Sequence, residues 1–523
     1  MFPTSATRFT QLWLCCVLAL LMSACHTGNH YKKNASHTTV PDESIEQGEK
    51  LAAQFCQSCH LLPHPSLLSA TTWANGVLPQ MGPRLGIFEH LYQRYPNNLG
   101  DPHIDKSFYP AQPLLSAAQW QNIIDYYTAL SPDSLPHQQR AQPIENNSGL
   151  FSVSTPAFKN SPPTTCLIKI DTATHQLFSS DIVQQSFYRF NAALQLTDSI
   201  RTGGAIVDLT WNKQDIIACN IGAFAPNNAK AGYVQQLHTN ARGRLQADTG
   251  ALFSELMRPV GLAAGDLNND GRPDYVVNEF GYLLGALSWE ENKGDHFERH
   301  VLYGVPGAIK AYVQDVNHDG LQDIWVLFAQ GEEGIFLFTN QGKGQFTREE
   351  VLRFPPSYGS TYFELADFNK DGFPDIVYTC GDNGDYSTIL KPYHGVYVYL
   401  NDGKNHFKQH SFFPINGCYK AIARDFDNDG DLDIATIAFF ADYATQPEEG
   451  FVYLQNQGNN RFKPFTTPQA QQGRWITMDA GDLDGDGKPE LVLGNCSMGP
   501  SFIKTHPDWQ KGPVLMVLKI TGK

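Results

Sequence analysis

The stretch DFDNDGDLD, residues 425–433, decides how this chain folds. Oxygen-bearing side chains stand at its positions 1, 3, 5 and 9 (Asp425, Asp427, Asp429, Asp433) and a glycine at position 6, the ligand order of a loop that wraps Ca2+. A helix–loop–helix site would carry its last carboxylate at position 12, whereas here position 9 leads directly into IAT, so the loop joins two strands. Four more stretches obey the same rule, D-x-[DN]-x-D-G-x-x-[DE]. They are DLNNDGRPD (Asp266, Asn268, Asp270, Asp274), DVNHDGLQD (Asp315, Asn317, Asp319, Asp323), DFNKDGFPD (Asp367, Asn369, Asp371, Asp375) and DLDGDGKPE (Asp482, Asp484, Asp486, Glu490). A single acidic loop reads equally well as a solvated turn, but five in register do not.

The first aspartates recur at intervals of 49, 52, 58 and 57 residues, the period of a propeller blade. Each unit reads as an inner strand, the Asp loop, a second strand, a third strand such as GIFLFTN, a turn such as NQGKGQF and an outer strand. Upstream, GGAIVDLTWNKQDIIACNIG from Gly203 and TTCLIKIDTATHQLFSSDI from Thr164 keep the rhythm without the acids. Counting both predicts seven blades, closed near the C-terminus by VLMVLKI. The loops and NxGxxxF-like turns resemble the FG-GAP or VCBS repeats of integrin-alpha-like propellers over residues 200–500. That resemblance implies that positions 1, 3, 5 and 9 of every loop are calcium ligands, for up to five ions. The formal charge of −15 fits this reading, because five Ca2+ would bring it to −5. No basic stripe points to nucleic acid.

Arg8 precedes an apolar run over residues 12–22, too short to cross a bilayer and proportioned as a secretory signal. The string LMSAC resembles a bacterial lipobox, which implies an exported protein, periplasmic or at the cell surface. Residues 1–24 are then its signal, Cys25 its lipidated anchor and residues 25–43 a polar tether.

A helical stretch, SIEQGEKLAAQF, then runs into CQSCH, the attachment signature of a c-type haem. Cys56 and Cys59 reach the two vinyl groups and His60 the iron; without the following histidine and the export signal, a redox dithiol or half a zinc site would fit as well. Met81 is the candidate sixth ligand, with His64, His90 and His103 as competitors. In SAAQWQNIIDYYTAL, Trp120, Ile123, Ile124 and Tyr127 share one helical face. Residues 44–131 thereby resemble a class I cytochrome c, although the stretch after Met81 is longer than that pattern. The expected fold is a small all-α cytochrome domain, a proline-rich linker over residues 132–163 in which FSVSTPAF could form an edge strand, and an all-β seven-bladed propeller over residues 164–523.

If strands alternate in direction, the Asp loops share one face and the blade-to-blade loops the other. The second face carries the long insertions at residues 221–233, 380–395 and 439–450. Lys310, Tyr362 and Lys420 each lie five residues before a first aspartate, and Arg258 and Arg474 eight before theirs. With Lys391 and His394 they are expected around the channel mouth as a site for a small anionic or carbohydrate ligand. The alternative is that they snorkel or pair at strand ends. Five cysteines, Cys166, Cys219, Cys380, Cys418 and Cys496, remain for at most two disulfides.

Three functions compete. The leading one is a monohaem electron-transfer protein that meets a redox partner protein and docks a partner or ligand on its propeller. A periplasmic dehydrogenase with its substrate at the propeller and an adhesive scaffold are the alternatives, and no organic-cofactor motif favours the enzyme.

Overall fold

In the computed structural model, which describes residues 31–499 and 506–521, seven β-sheets form a ring. Blades 1 to 7 begin with inner strands Thr165–Asp171, Ile206–Asn212, Pro259–Gly265, Ala308–Gln314, Ser360–Ala366, Cys418–Arg424 and Trp475–Gly481. Each continues outward as an antiparallel meander of four strands, and blade 2 adds a fifth piece, Phe253–Leu256. The second strands of blades 3 to 7 are buried along their whole length, which accounts for their unbroken apolar runs. The two acid-free units are blades 1 and 2, so the expected seven-bladed propeller is present.

The ring closes with strands from the stretch read as a linker. Phe151–Ser154 is the outermost strand of blade 7, antiparallel to Leu515–Ile520. Glu145–Asn146 adds a parallel edge to blade 6 beside Phe462–Thr466. Tying blade 7 to a strand that precedes blade 1 in the chain makes the ring one cooperative unit.

Neighbouring blades are also joined across the channel by side chains that accept main-chain N–H groups from the next inner strand. Asp208 of blade 2 accepts from Leu262 of blade 3 at 3.0 Å, Glu364 of blade 5 from Ala423 of blade 6 at 2.8 Å, and Asp479 of blade 7 from Ile170 of blade 1 at 2.8 Å. These bonds satisfy inner-strand amides that have no further strand to pair with.

Before the ring, helices Asp42–Phe55 and Ala117–Leu130 pack around Ile45, Ala52, Trp73, Trp120, Ile123 and Tyr127. Gly48 lets them approach, since a Cβ there would stand 1.9 Å from the Asn122 carbonyl oxygen. Ser116 and Gln119 form a capping box that starts the second helix. This helical region rests on the blade-to-blade face: Tyr393 donates to the Leu67 carbonyl at 3.0 Å, Asn228 to Asp101 at 2.8 Å, and Ile389 joins the helical core. Among the described residues no helix is long and apolar enough to cross a membrane. The signal stretch and Cys25 lie outside the described residues.

Candidate metal loops and the central channel

The Asp loops build themselves from short-range bonds. In the loop at 425–433, the Asp425 carboxylate accepts from the N–H of Asp429 at 3.1 Å and of Gly430 at 2.9 Å, and Asp427 accepts from Asp429 at 3.2 Å. Two left-handed residues turn the chain, Asn428 (φ 61°) and Gly430 (φ 94°). Position 6 is left-handed in all five copies, which is why only glycine stands there. Position 9 is buried: Asp433 accepts from the N–H of Phe426 at 3.2 Å and of Asn456 at 2.7 Å, and from the Tyr453 hydroxyl at 2.6 Å.

Asn456 belongs to a second repeat that the loop motif does not reveal. Asn292, Asn340, Asn401 and Asn456 each end a third strand, donate from the side-chain amide to the position-8 carbonyl of the Asp loop, and accept from the glycine two residues on. One asparagine thus welds the Asp loop to the neighbouring turn. Its signal was the recurring N-x-G.

The carboxylates fit a divalent cation unequally. Asp425, Asp427 and Asp433 each offer an oxygen within 4.8 Å of the others, and so do Asp482, Asp484 and Glu490. In the last loop, however, the Lys519 ammonium lies 2.5 Å from Asp484, 2.6 Å from Asp486 and 3.1 Å from Glu490. A cation supplied by the chain already sits among the oxygens expected to hold Ca2+. In the other loops positions 1, 3, 5 and 9 follow the same backbone plan, with Arg272 paired to Asp270 at 2.5 Å in the first.

In CQSCH the His60 ring pairs through Nδ1 with the Leu61 carbonyl at 2.8 Å, so Nε2 is the ring nitrogen a metal would use, and burial lowers its pKa toward the neutral form. Cys59 is exposed and Cys56 half-buried. Leu62, Val77, Met81 and Leu85 lie against the helical core with part of their apolar surface open. Among the competitors of Met81, His90 is engaged with Gln121 at 2.8 Å and His64 with Ser66 at 2.7 Å, and His103 is exposed.

Of the residues expected at the mouth, Lys310, Tyr362 and Lys420 meet inside the channel. Lys420 lies over the Tyr362 ring at 4.8 Å, Lys310 over Tyr312 at 5.1 Å, and the Tyr312 and Tyr362 hydroxyls are 3.1 Å apart. The others anchor loops. Arg258 donates to the carbonyls of Phe224 and Gly281, and buried Arg474 stacks on Phe439 at 3.7 Å and donates to its carbonyl. Lys391 is buried against Asn383 and Ser387, and His394 is buried beside it. Lys169, Asp208, Tyr312, Glu364, Arg424 and Asp479 join Lys310, Tyr362 and Lys420 in the channel without sharing their spacing. Period-two reading from Lys310 and Tyr362 leads to Tyr312 and Glu364, but blades 1 and 2 have no Asp loop from which to count. Among the described residues, all five cysteines considered for disulfides are free.

Residues 315–378 match the FG-GAP-like repeat family. Cartilage acidic protein 1 of Mus musculus is 31% identical over 180 residues, 32% of this chain and 26% of that protein. The Homo sapiens protein of the same name is 30% identical over 181 residues, 32% of this chain and 26% of its own length. The chain therefore spans about a quarter of these relatives. Among solved structures, Sqt1 of Saccharomyces cerevisiae (8% identity, TM-score 0.43, 73% of this chain and 100% of that one) and the Dos1 propeller (10%, 0.41, 68% and 77%) are similar at a level that adds nothing to the strand order. The chain is a seven-bladed β-propeller carrying FG-GAP-like repeats.

Proposed function

We propose that this chain is an exported c-type cytochrome, lipidated at Cys25, that transfers electrons to a redox partner protein and whose calcium-stiffened propeller docks that partner or a ligand. The observation that carries the reading is CQSCH at the end of helix Asp42–Phe55, with His60 fixed through Nδ1 and apolar side chains beside it. A bound haem supplies one-electron chemistry. Cys56 and Cys59 would hold the group covalently, and His60 and Met81 would offer the nitrogen and thioether donors to its iron. The Asp loops would hold Ca2+ on the face away from the helical region, leaving the other face for recognition.

The chain is produced with the machinery that attaches c-type haem, then denatured. A haem band that stays with the polypeptide, is lost in the double variant Cys56→Ala/Cys59→Ala, and shows a methionine–iron absorption that disappears in Met81→Ala is the expected result. Zinc or no chromophore on the wild-type chain would refute the reading. The contact of the helical region with the propeller face supports a second reading, a dehydrogenase with its substrate at the mouth. Anaerobic bleaching of the oxidised spectrum by an added sugar, alcohol or organic acid would select it.

A further inference from the structure

Three lysines approach one another inside the ring without a close carboxylate. Lys169 comes from blade 1, Lys310 from blade 4 and Lys420 from blade 6, and Lys420 lies within electrostatic reach of the other two. The carboxylate oxygen paired with Lys310 is that of Asp208, at 4.0 Å. Among the described residues neither Lys169 nor Lys420 has an ion pair within that distance.

The acids around them also serve the main chain. Asp208 and Asp479 each accept a main-chain N–H of the next blade, and Glu364 holds both the Ala423 N–H and the Arg424 guanidinium, the latter at 2.7 Å. With Glu364 offset by Arg424, three ammonium groups face two carboxylates; Asp479 and Asp208 compensate Lys169, so the excess positive charge falls mainly at Lys420. All three lysines retain part of their surface, so water reaches them. Burial nevertheless pushes Lys420 down to about 8, the mark of a cation short of compensation.

We propose that the channel binds one small oxyanion between Lys169, Lys310 and Lys420. Ammonium groups are point charges without the planar fork of arginine, so the site selects for charge and compactness rather than shape. Either a tetrahedral dianion or a small carboxylate supplies that chemistry. The inference deepens the ligand-binding half of the proposed function and does not depend on the haem half.

The test is isothermal titration of the full, calcium-loaded chain with sulfate and, separately, acetate, against chloride at equal ionic strength. Saturable binding of one anion per chain is expected, weakened about tenfold or more in Lys310→Met and in Lys420→Met, as expected for losing a charged hydrogen bond. Lys404→Met, exposed on the Asp-loop face, should leave it unchanged. The anion that binds tells dianion from carboxylate; no saturable heat with either, or equal affinity in the channel variants, would overturn the proposal. If a methionine variant does not fold, amine labelling of the wild type decides: the bound anion should protect Lys169, Lys310 and Lys420 but not Lys404, and uniform labelling would refute the site. The haem band of the same sample reports separately on the cytochrome reading.

Discussion

At one end of the ring, half-buried and exposed acids are held by their own loops around one buried carboxylate: Asp425 and Asp427 take their backbone partners from within the same nine residues. At the other end, acids are buried and take partners from far along the chain. Glu449 of blade 6 is fully buried against Arg140 from before the first blade, and Glu333 of blade 4 accepts from the N–H and hydroxyl of Ser360 in blade 5. The first kind of acid is suited to an external cation, and the second to fixing the geometry of a face built from insertions. Local assembly can be copied blade by blade, whereas a site assembled from distant segments occurs once.

The largest effect should come at the mouth end. Arg140→Ala leaves Glu449 buried with only the Asn416 side-chain amide and the N–H groups of Asn416 and Asp442 as partners, and is expected to cost about 3–5 kcal/mol in denaturant unfolding. A loss below 1 kcal/mol would show that this end is not held by its long-range pairs. At the loop end, Asp433→Ala leaves the N–H groups of Phe426 and Asn456 and the Tyr453 hydroxyl without their acceptor, on the order of 3 kcal/mol even when calcium is chelated. Asp429→Ala, at the exposed fifth position, should leave the chelated protein unchanged and weaken only calcium binding. Equal behaviour of the two variants would erase the distinction between the buried and open positions of one loop.

A pH series separates the ends further. Burial pushes Glu333 up to about 8, against about 4.3 in an unfolded chain. Between those values the unfolded state releases the proton and the folded state keeps it, so this group's contribution is complete below the unfolded pKa and is lost as pH rises through about 8. Glu333→Gln, which mimics the protonated acid, should gain on the wild type steadily from pH 5 to pH 8 in unfolding midpoint. A constant difference would contradict the assignment. The smallest change in stability is expected for Lys519→Met, which frees Asp484, Asp486 and Glu490 and should add one calcium to the protein without moving its midpoint much in the presence of the ion. An unchanged calcium count in this variant would mean that Lys519 does not occupy the position.

These ends also differ in how far the sequence reveals them. The Asp loops, the blade period and the seven sheets were readable because each rests on residues close together: Asp425 to Asp433 make one turn, and Asp274 or Asp375 opens a strand whose apolar run declares its burial. Phe151–Ser154 was visible as an edge strand, but its partner, Leu515–Ile520, lies more than 350 residues away, and no local pattern connects them. The channel was half legible. Lys310, Tyr362 and Lys420 share a register with their loops, whereas Lys169 and Asp208 sit on blades whose acids are gone. Lys519 was invisible for the same reason as Arg140: each acts across a contact that exists only once the ring has closed.

The measurement that tests the account most directly is the calcium and covalent haem content of the purified chain, before and after chelation. One haem and four calcium ions per chain are expected, with chelation removing the calcium and leaving the haem attached. A chain with intact CQSCH that carries no haem after maturation, or one whose calcium survives the loss of Asp425, Asp427 and Asp429 undiminished, would contradict it.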